Sequence, residues 1–265
     1  RQDSLDMLSN FLKTKYGYDP GPWSGIDFIR ESDKLFTRLD FNVGDNHKLT
    51  ARWSYLHSVE DNTPSRGRSA TDIYADYGRY KLENKTHSVG LQLTSVFGNA
   101  ASNELILGYV NQFDNPVHYG APFPTLYIRT SNPAATDRRT QTLVLGAEQF
   151  RHRNELGQRN FEITDNFTWY LPGHTVTTGA RVDIFKFRNL FIPDNFGVYT
   201  YNSIAEFLNN TTRRAASYSF RYSATADPLQ EANWGARQYG FYLQDEWTVS
   251  SALKLLISFS LLLTK

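Results

Sequence analysis

Hydrophobic and polar residues alternate with a period of two in successive segments of the chain from Lys34 onward. In the first segment, Leu35 and Leu39 share one face, while Arg38 and Asp40 share the other, because successive side chains of a strand point to opposite faces. Each segment is about ten residues long, which is the length that crosses a bilayer as a tilted strand. The pattern therefore predicts β-strands with one apolar face and one polar face.

Short turns join these segments in pairs. The turn residues are Gly44-Asp45-Asn46, Gly98-Asn99, Pro172-Gly173 and Ser250-Ser251. Gly, Asn, Asp, Pro and Ser are the residues that favour turns. The sequence thus predicts four hairpins, which together give eight antiparallel strands.

Long links separate the hairpins, and they cover approximately residues 59–84, 114–158 and 188–237. Structureless links of this length are uncommon in a compact soluble domain. They are typical of outer-membrane barrels, whose periplasmic turns are short and whose extracellular loops are long. We therefore expect an all-β, antiparallel up-and-down meander of about eight strands that is part of a transmembrane outer-membrane β-barrel with long extracellular loops.

The polar face carries charged side chains of both signs, which line the lumen in a barrel and can pair across strands. The predicted lumen-lining residues are Arg38, Asp40, Arg52, Glu104, Glu162, Arg181, Asp183 and Glu246. Trp169 and Trp247 each lie shortly before a short turn, and an amphipathic ring at that height is typical of a membrane interface. We predict these two residues to lie at that interface.

Two acidic residues, Asp165 and Asp245, fall on the apolar face under strict alternation. A carboxylate is unfavourable against lipid. Three explanations stay open at this point: a β-bulge rotates each residue inward, the residues lie at headgroup height, or the face assignment slips by one residue.

Composition excludes several functions. The chain has 265 residues, no cysteine and a net charge of +1, so thiol catalysis, disulfides, thiolate metal sites and nucleic-acid binding are not expected. No run of 18 apolar residues forms a membrane-spanning helix. The histidines are widely spaced, and no nucleophile-elbow or phosphate-loop motif occurs. We therefore expect that the protein is not an enzyme and binds neither a cofactor nor a metal. Because the chain begins at Arg1 without a signal peptide, we also expect it to be a piece of a longer protein.

The long links are rich in aromatic and basic residues, which form recognition surfaces at a modest entropic cost. The candidate ligand-binding residues of these loops are Tyr74, Tyr77, Tyr119, Tyr127, Tyr199, Tyr201, Arg213, Arg214 and Trp234. Two short amphipathic helices are also predicted, one from Ser4 to Gly17 and one from Ser203 to Leu208 with the spacing of a capping box.

Four segments resemble the barrel of Oar-like TonB-dependent receptors. They are Tyr16-Gly17-Tyr18-Asp19-Pro20-Gly21, Ser32 to Asn42 (SDKLFTRLDFN), Asn46 to Tyr55 (NHKLTARWSY) and Tyr239 to Trp247 (YGFYLQDEW). The resemblance implies a Gram-negative outer-membrane barrel of about 22 strands behind an N-terminal plug. Such proteins import ligands with energy from the TonB complex, or act at the surface in adhesion.

The resemblance also implies partners and a division of the chain. The expected partners are outer-membrane lipid, the TonB complex through a plug domain absent from this chain, and a small-molecule, peptide or oligosaccharide ligand. Residues 1–33 would form a pre-strand segment with a short helix, and residues 34–265 a partial receptor barrel. Residues 256–263 are apolar on both faces and depart from the family pattern. The alternatives are a secreted β-sandwich for binding or adhesion, and a small closed porin-like barrel of eight strands.

Overall fold

The computed structural model describes residues 2–64, 72–131, 140–209 and 214–265. The elements of these residues are, in chain order, α1 (Gln2–Tyr16), β1 (Arg30–Asn42), β2 (His47–Asn62), β3 (Asp72–Tyr74), β4 (Tyr80–Phe97), β5 (Ala101–His118), β6 (Thr125–Ser131), β7 (Thr140–Leu145), β8 (Asn154–Leu171), β9 (His174–Phe191), β10 (Val198–Tyr201), α2 (Ile204–Leu208), β11 (Ser217–Ser219), β12 (Ala232–Ser250) and β13 (Leu253–Thr264). Single 3-10 turns occupy Asp76–Gly78 and Gln149–Arg151. Neither helix of the described residues has the length and apolarity needed to cross a membrane.

Eight long strands form one antiparallel sheet in the order β1-β2-β4-β5-β8-β9-β12-β13. The predicted meander of four hairpins is confirmed. β1 and β13 are the two edges of this sheet, so the barrel is open in this chain and the alternative of a closed eight-stranded barrel is wrong. β13 pairs with β12 as far as Thr264, so residues 256–263 form a regular strand despite their uniform apolarity.

The strands are longer than the alternating pattern indicated. β4, β5, β8 and β9 each have 18 residues, whereas about ten suffice to cross a bilayer. The extra residues lie at the ends that lead into the long links, where polar side chains replace apolar ones on the outward face. β1 likewise begins at Arg30, before the boundary at residue 33 that the sequence indicated.

The exposure of side chains on the two faces of the sheet is opposite to that in a soluble protein, because the apolar side chains are more exposed than the polar ones. The apolar side chains of Val89 and Leu91 on β4 are 40% and 39% exposed, while Ser88 and Gln92, the polar residues on either side of this pair, are half-buried. In the described residues, the buried apolar clusters take no member from the eight long strands. A β-sandwich would bury this apolar face against a second sheet, so that alternative is wrong.

The long links fold into a second sheet with the strand order β11-β10-β6-β7-β3. The described residues of these links therefore contain strands in addition to the helix that the sequence predicted after Ser203. α1 and α2 pack against this sheet around a core that contains Leu8, Leu12, Ile128, Leu145 and Phe207. We call α1, α2 and this five-stranded sheet the loop cap, and it lies at the end of the long strands opposite the short turns.

Local sequence signals account for the helices of the loop cap. α1 ends where Gly17 adopts a positive φ of 65°, and Gly17 N donates to Lys13 O at 3.1 Å, which is the αL form of a helix C-terminal cap. α2 begins after Ser203, whose hydroxyl accepts a hydrogen bond from Glu206 N at 3.0 Å. Both predicted helices are confirmed, although α1 begins at Gln2, which places Ser4 inside the first turn instead of at the cap.

Candidate functional site

The polar face carries a network of hydrogen bonds that crosses the long strands. On β1, Arg38 Nε donates to Asp40 Oδ2 at 2.9 Å, and from β2 Thr50 Oγ1 donates to Asp40 Oδ1 at 2.7 Å. Lys48 Nζ lies 3.4 Å from the same carboxylate. The charges at this edge of the sheet are therefore balanced within the polar face.

The network continues from β2 to β12. Arg52 donates to Gln92, which donates to Glu104. Asn166 Nδ2 donates to Glu104 Oε2 at 3.3 Å, and Tyr242 Oη donates to Asn166 Oδ1 at 2.9 Å. Polar side chains of five strands are thus connected in a single series.

A glycine on β9 makes the last of these contacts possible. β9 lies between β8 and β12, and a Cβ atom at Gly179 would stand only 2.1 Å from Tyr242 Cε1. Because glycine has no side chain, the tyrosine ring can cross β9 and reach Asn166.

A second charged group lies on β8 and β9. Arg181 Nη2 is 3.2 Å from Glu162 Oε2, and Arg181 Nε is 2.7 Å from Asp183 Oδ2. Asn160 Nδ2 donates to Asp183 Oδ1 at 3.2 Å. Glu246 pairs with Lys254 on β13. All eight residues expected to line a lumen therefore lie on the polar face, and their place in a lumen stays a prediction.

Small residues form a hollow in the polar face that the sequence analysis missed. Gly90 and Gly108 lie directly opposite each other on β4 and β5, and a cavity of about 380 Å³ lies above them with Arg52 and Glu162 among its lining residues. Phe36 contributes an exposed ring to the same cavity. The signal in the sequence is the occurrence of glycine at polar-face positions of two neighbouring strands.

The apolar face carries the two tryptophans. Trp169 and Trp247 are both exposed near short turns, and the Trp247 ring stacks on His174 at 5.6 Å between centroids. Their position at a membrane interface stays a prediction.

Asp165 and Asp245 also lie on the apolar face. The ladders of β8 and β12 with β9 run past both residues without a register shift, so the explanation by a bulge is wrong. Each carboxylate has a polar partner, since Asn103 Nδ2 donates to Asp165 at 2.7 Å and His174 Nδ1 lies 2.8 Å from Asp245 Oδ2. The two aspartates are accommodated by hydrogen bonding at the short-turn half of the strands.

The candidate loop residues divide into buried and accessible ones. Tyr127 and Tyr201 are buried in the loop cap, where Tyr127 Oη donates to Gln149 Oε1 at 2.9 Å and the Tyr201 ring meets Phe207 edge-on at 5.0 Å. Tyr74 packs beside Tyr127 and is half-buried. Tyr127 and Tyr201 thus belong to the interior of the loop cap.

Tyr77 and Tyr199 are half-buried, as Tyr74 is. The Tyr77 ring lies against Gly21 and Gly120. Tyr199 stacks near the exposed Tyr218, and Arg214 is exposed. Arg213 lies outside the described residues.

Trp234 is not in a loop, because β12 includes it. Its ring is exposed and stacks on Phe187 of β9 at 5.2 Å between centroids. Both rings lie on the polar face, just below the loop cap. This places an aromatic pair at the end of the polar face where the long links begin.

Tyr119 belongs to a junction between the long strands and the loop cap. Its hydroxyl donates to Asp61, and burial, together with this carboxylate, raises the pKa of Tyr119 to about 12. The guanidinium of Arg79 lies 4.4 Å from the centre of the Tyr119 ring and 3.3 Å from Asp61 Oδ2. The sequence analysis did not single out Arg79 or Asp61.

His152 is a buried titratable group of the loop cap. Its ring is 2% exposed and stacks on Phe196 at 4.5 Å. Nδ1 accepts a hydrogen bond from Phe196 N at 3.0 Å, and Nε2 lies 3.2 Å from Ala147 O. Burial lowers the pKa of His152 from 6.5 to about 4, so the ring is neutral at pH 7 and holds the loop between β7 and β8 against the loop before β10.

We expect the loop cap to lose stability as the pH falls from about 6.5 to about 4. The unfolded chain binds a proton at His152 in this range and the folded chain does not, so the free energy of unfolding rises with pH across it, by about 3 kcal/mol in total. Hydrogen exchange of the Phe196 amide, measured at several pH values, checks this. His152→Gln should reduce this pH dependence, and an unchanged pH dependence in that variant would contradict the assignment.

Comparison with known proteins places this geometry in a family. The sequence model of the outer membrane beta barrel domain matches residues 25–257. No match was found among curated proteins.

Solved structures share the fold at low sequence identity. The outer membrane transporter YddB from Escherichia coli has a TM-score of 0.58 and 11% identity over 93% of this chain and 30% of its own. The ferripyoverdine receptor of the Pseudomonas aeruginosa outer membrane, bound to ferripyoverdine, has a TM-score of 0.53 and 12% identity over 89% of this chain and 30% of its own. The FpvAI–pyocin S2 complex gives a TM-score of 0.53 and 13% identity over 89% of this chain and 31% of that chain.

The three matches cover 89–93% of this chain and therefore include the long sheet described above. The chain spans about 30% of the length of the first two of these structures. The match to the outer membrane beta barrel domain confirms the predicted outer-membrane β-barrel. The resemblance to the Oar-like branch stays a prediction. The chain belongs to the outer membrane beta barrel domain family.

Proposed function

We propose that this chain forms part of the barrel of a TonB-dependent receptor that binds a ligand and imports it across the outer membrane. The observation that carries the proposal is the polar face, on which hydrogen-bonded side chains connect β2 with β12 beneath a folded loop cap. A lipid-facing or buried sheet has no use for such a network, whereas a water-filled lumen accommodates it. The long loops of such barrels face the exterior, so the loop cap would meet the ligand first.

The proposed path begins at the loop cap and follows the polar face. The exposed ring of Trp234 and the half-buried rings of Tyr77 and Tyr199 would make the first contacts, because rigid aromatic side chains lose little entropy on binding. The hollow above Gly90 and Gly108 would then receive the ligand. Energy from the TonB complex would act through a plug domain that these residues do not include.

The structural neighbours suggest the first ligand to test. One neighbour is a receptor bound to ferripyoverdine, so an iron chelate is the starting probe. Cells that lack the gene and cells that express the full-length protein are compared for uptake of ferripyoverdine labelled with radioactive iron. We expect uptake only with the protein, and none after the proton gradient has been collapsed.

Two variants separate capture from passage. Tyr199→Ala should weaken binding of the probe to whole cells at 0 °C, because the residue belongs to the loop cap. Arg52→Ala should leave that binding intact and slow accumulation at growth temperature. A steady ion conductance of the purified protein in planar bilayers, together with energy-independent solute entry, would identify a porin and overturn the proposal.

A further inference from the structure

The hollow in the polar face has walls of opposite charge. It lies over β4 and β5, between β2 and β8. Arg52 stands on its β2 side and Glu162 on its β8 side. Gly90 and Gly108 face each other across the β4–β5 ladder between these two residues. The hollow is therefore a cavity of about 380 Å³ with a cation at one side, a carboxylate at the other, and a floor without side chains.

The floor of the hollow is open although the sheet has room for a side chain there. A Cβ atom at Gly90 would meet no atom within 4 Å beyond its neighbours in the chain. Glycine weakens the interior of a strand, and it often marks a place where a ligand approaches closely. Packing therefore does not require glycine at position 90, whereas an unobstructed hollow does.

The cation at the β2 side lacks a counter-ion. Arg52 is exposed and donates to the neutral amide oxygen of Gln92 on β4. Among the residues that the structure describes, no carboxylate pairs with Arg52. Arg38 lies directly opposite it across the β1–β2 ladder, and the carboxylate there, Asp40, pairs with Arg38. Because a guanidinium has five N–H donors and like charges placed opposite each other are destabilising, this wall favours an anion.

The β8 side carries a surplus of negative charge. Arg181 Nη2 lies 3.2 Å from Glu162 Oε2, and Arg181 Nε lies 2.7 Å from Asp183 Oδ2. Within the described part of the chain, one cation is thus shared by two carboxylates. Glu162 also leans over β5, since a Cβ atom at Gly108 would be only 3.6 Å from Glu162 Oε2. This wall therefore favours a cation.

The separation of the two walls sets the length of a ligand that reaches both. β2 and β8 are three strand spacings apart, which is about 14 Å. Arg52 extends to Gln92 on β4 and Glu162 extends over β5, so their charged groups are about one to two spacings apart, roughly 5–10 Å. An extended chain spans at most about 3.5 Å per residue. The two ends of a dipeptide match this separation, whereas a single amino acid is too short.

We propose that the hollow binds a short peptide as a zwitterion, with the peptide carboxylate on Arg52 and the peptide ammonium group on Glu162. A carboxylate forms two parallel charge-assisted hydrogen bonds with a guanidinium. Phe36, whose ring is 64% exposed, and Val110 line the hollow on the side toward the loop cap, where they would contact an apolar side chain of the peptide. This inference rests on the proposed function, because a lumen is what brings a solute to the hollow.

Peptides with blocked ends test both contacts on the purified full-length protein in detergent. Isothermal titration calorimetry measures the affinity for glycylphenylalanine, for its N-acetyl form, which lacks the ammonium group, and for its C-terminal amide, which lacks the carboxylate. We expect each blocked peptide to bind about tenfold more weakly than the free dipeptide, because each one loses a hydrogen bond to a charged group.

Three variants assign the two ends of the peptide and the place where it binds. Arg52→Gln should bind the free dipeptide and the amide equally, and should still discriminate against the N-acetyl form. Glu162→Gln should show the converse. Gly90→Val fills the floor of the hollow with a residue that strands favour, so it should abolish binding without lowering the thermal unfolding midpoint. Unchanged binding in Gly90→Val would overturn the proposal.

Lys34→Gln is the matched control for the charge, because Lys34 is an exposed lysine at a polar-face position of β1 outside the hollow. It should leave the affinity unchanged. An equal loss in Lys34→Gln and Arg52→Gln would overturn the proposal, as would equal affinity for the three peptides or no measurable binding of the free dipeptide. Equal affinity for the free and the N-acetyl dipeptide would assign the hollow to an anion alone and would overturn it too.

The outcome is distinguishable from that of the proposed import. Uptake of the labelled iron chelate by cells whose purified protein binds no dipeptide would overturn this inference alone. Dipeptide binding by a protein that supports no uptake would leave the site standing and would contradict the proposed import.

Discussion

Replacing Arg79 with glutamine is expected to lower the free energy of unfolding of the loop cap by about 3–5 kcal/mol. The side chain is 4% exposed and pairs with Asp61 and Asp76. It also donates to Asp27 O at 2.8 Å, and the ring of Phe28 lies 4.8 Å from its guanidinium. Glutamine removes the cation and leaves two carboxylates at the junction, of which Asp61 is almost fully buried.

Arg30→Gln is the matched control for this prediction. Arg30 also pairs with a carboxylate, that of Glu60, but its side chain is 78% exposed. Exposed pairs contribute about 0–1 kcal/mol, so the control should unfold almost as the wild type does. Limited proteolysis and hydrogen exchange of β6 and β7 in the full-length protein measure the effect. Equal protection in the two variants would show that the buried pair does not anchor the loop cap.

The position of Arg79 explains why the loss should reach beyond one contact. Its partners come from the segment before β1, the end of β2 and the residue after β5, Tyr119. These are the points at which the long strands pass into the loop cap. A single cation thus holds together three segments at which the long strands pass into the loop cap. The aromatic rings of the loop cap keep one arrangement only while these segments are held in place.

The long strands could be predicted from the sequence because their signal is local. Alternation such as that of Leu35, Arg38, Leu39 and Asp40 assigns each side chain to a face without knowledge of distant residues. The short turns carry residues such as Gly44 and Gly173 with positive φ, which few other residues adopt without strain. The order of eight strands then follows from the short connections within hairpins and the tendency of sequential strands to pair.

The sheet of the loop cap could not be predicted, because its pairings are distant in sequence. β10 pairs in parallel with β6, and β3 in parallel with β7. The strands concerned have between three and seven residues, too few for periodicity to distinguish them from loops. For the same reason, Tyr127 and Tyr201 were predicted as ligand contacts, although they form part of a core that appears only when the three links come together.

The sequence predicted on which face of the sheet each residue of the candidate site lies, but not which residues it contacts. Alternation placed Arg52, Glu104 and Glu162 on the correct side of the sheet, but the link from Glu104 through Asn166 to Tyr242 depends on the absence of a side chain at Gly179. Alternation also placed Asp165 and Asp245 correctly on the apolar face. What the pattern lacked was the partner of each carboxylate, because Asn103 and His174 are cross-strand neighbours whose register only the folded sheet defines.

Replacing Leu107 with arginine is expected to prevent stable insertion of the barrel, with a loss of about 2–4 kcal/mol of folding free energy in the membrane. Leu107 lies at the middle of the apolar band on β5, directly between Leu91 of β4 and Ile163 of β8. Lipid would surround an arginine at this height on three sides, and no acidic residue is its direct cross-strand neighbour.

Ile106→Arg is the matched control, since it makes the same chemical change one residue away. Ile106 faces the cavity of the polar face and lies opposite Gln92 and Thr164, so an arginine there remains in contact with water and hydrogen-bonding groups. Urea titration of the full-length protein in lipid vesicles should show the large loss for Leu107→Arg and a change below about 1 kcal/mol for Ile106→Arg. The order of the two variants is what matters, because a face in contact with hydrocarbon penalises the charge at position 107 and a face in contact with water does not. If both variants were equally stable, the apolar face would be in water. If Ile106→Arg alone were destabilised, the polar face that carries Ile106 would be buried against protein, and the lumen would lie on the other side of the sheet.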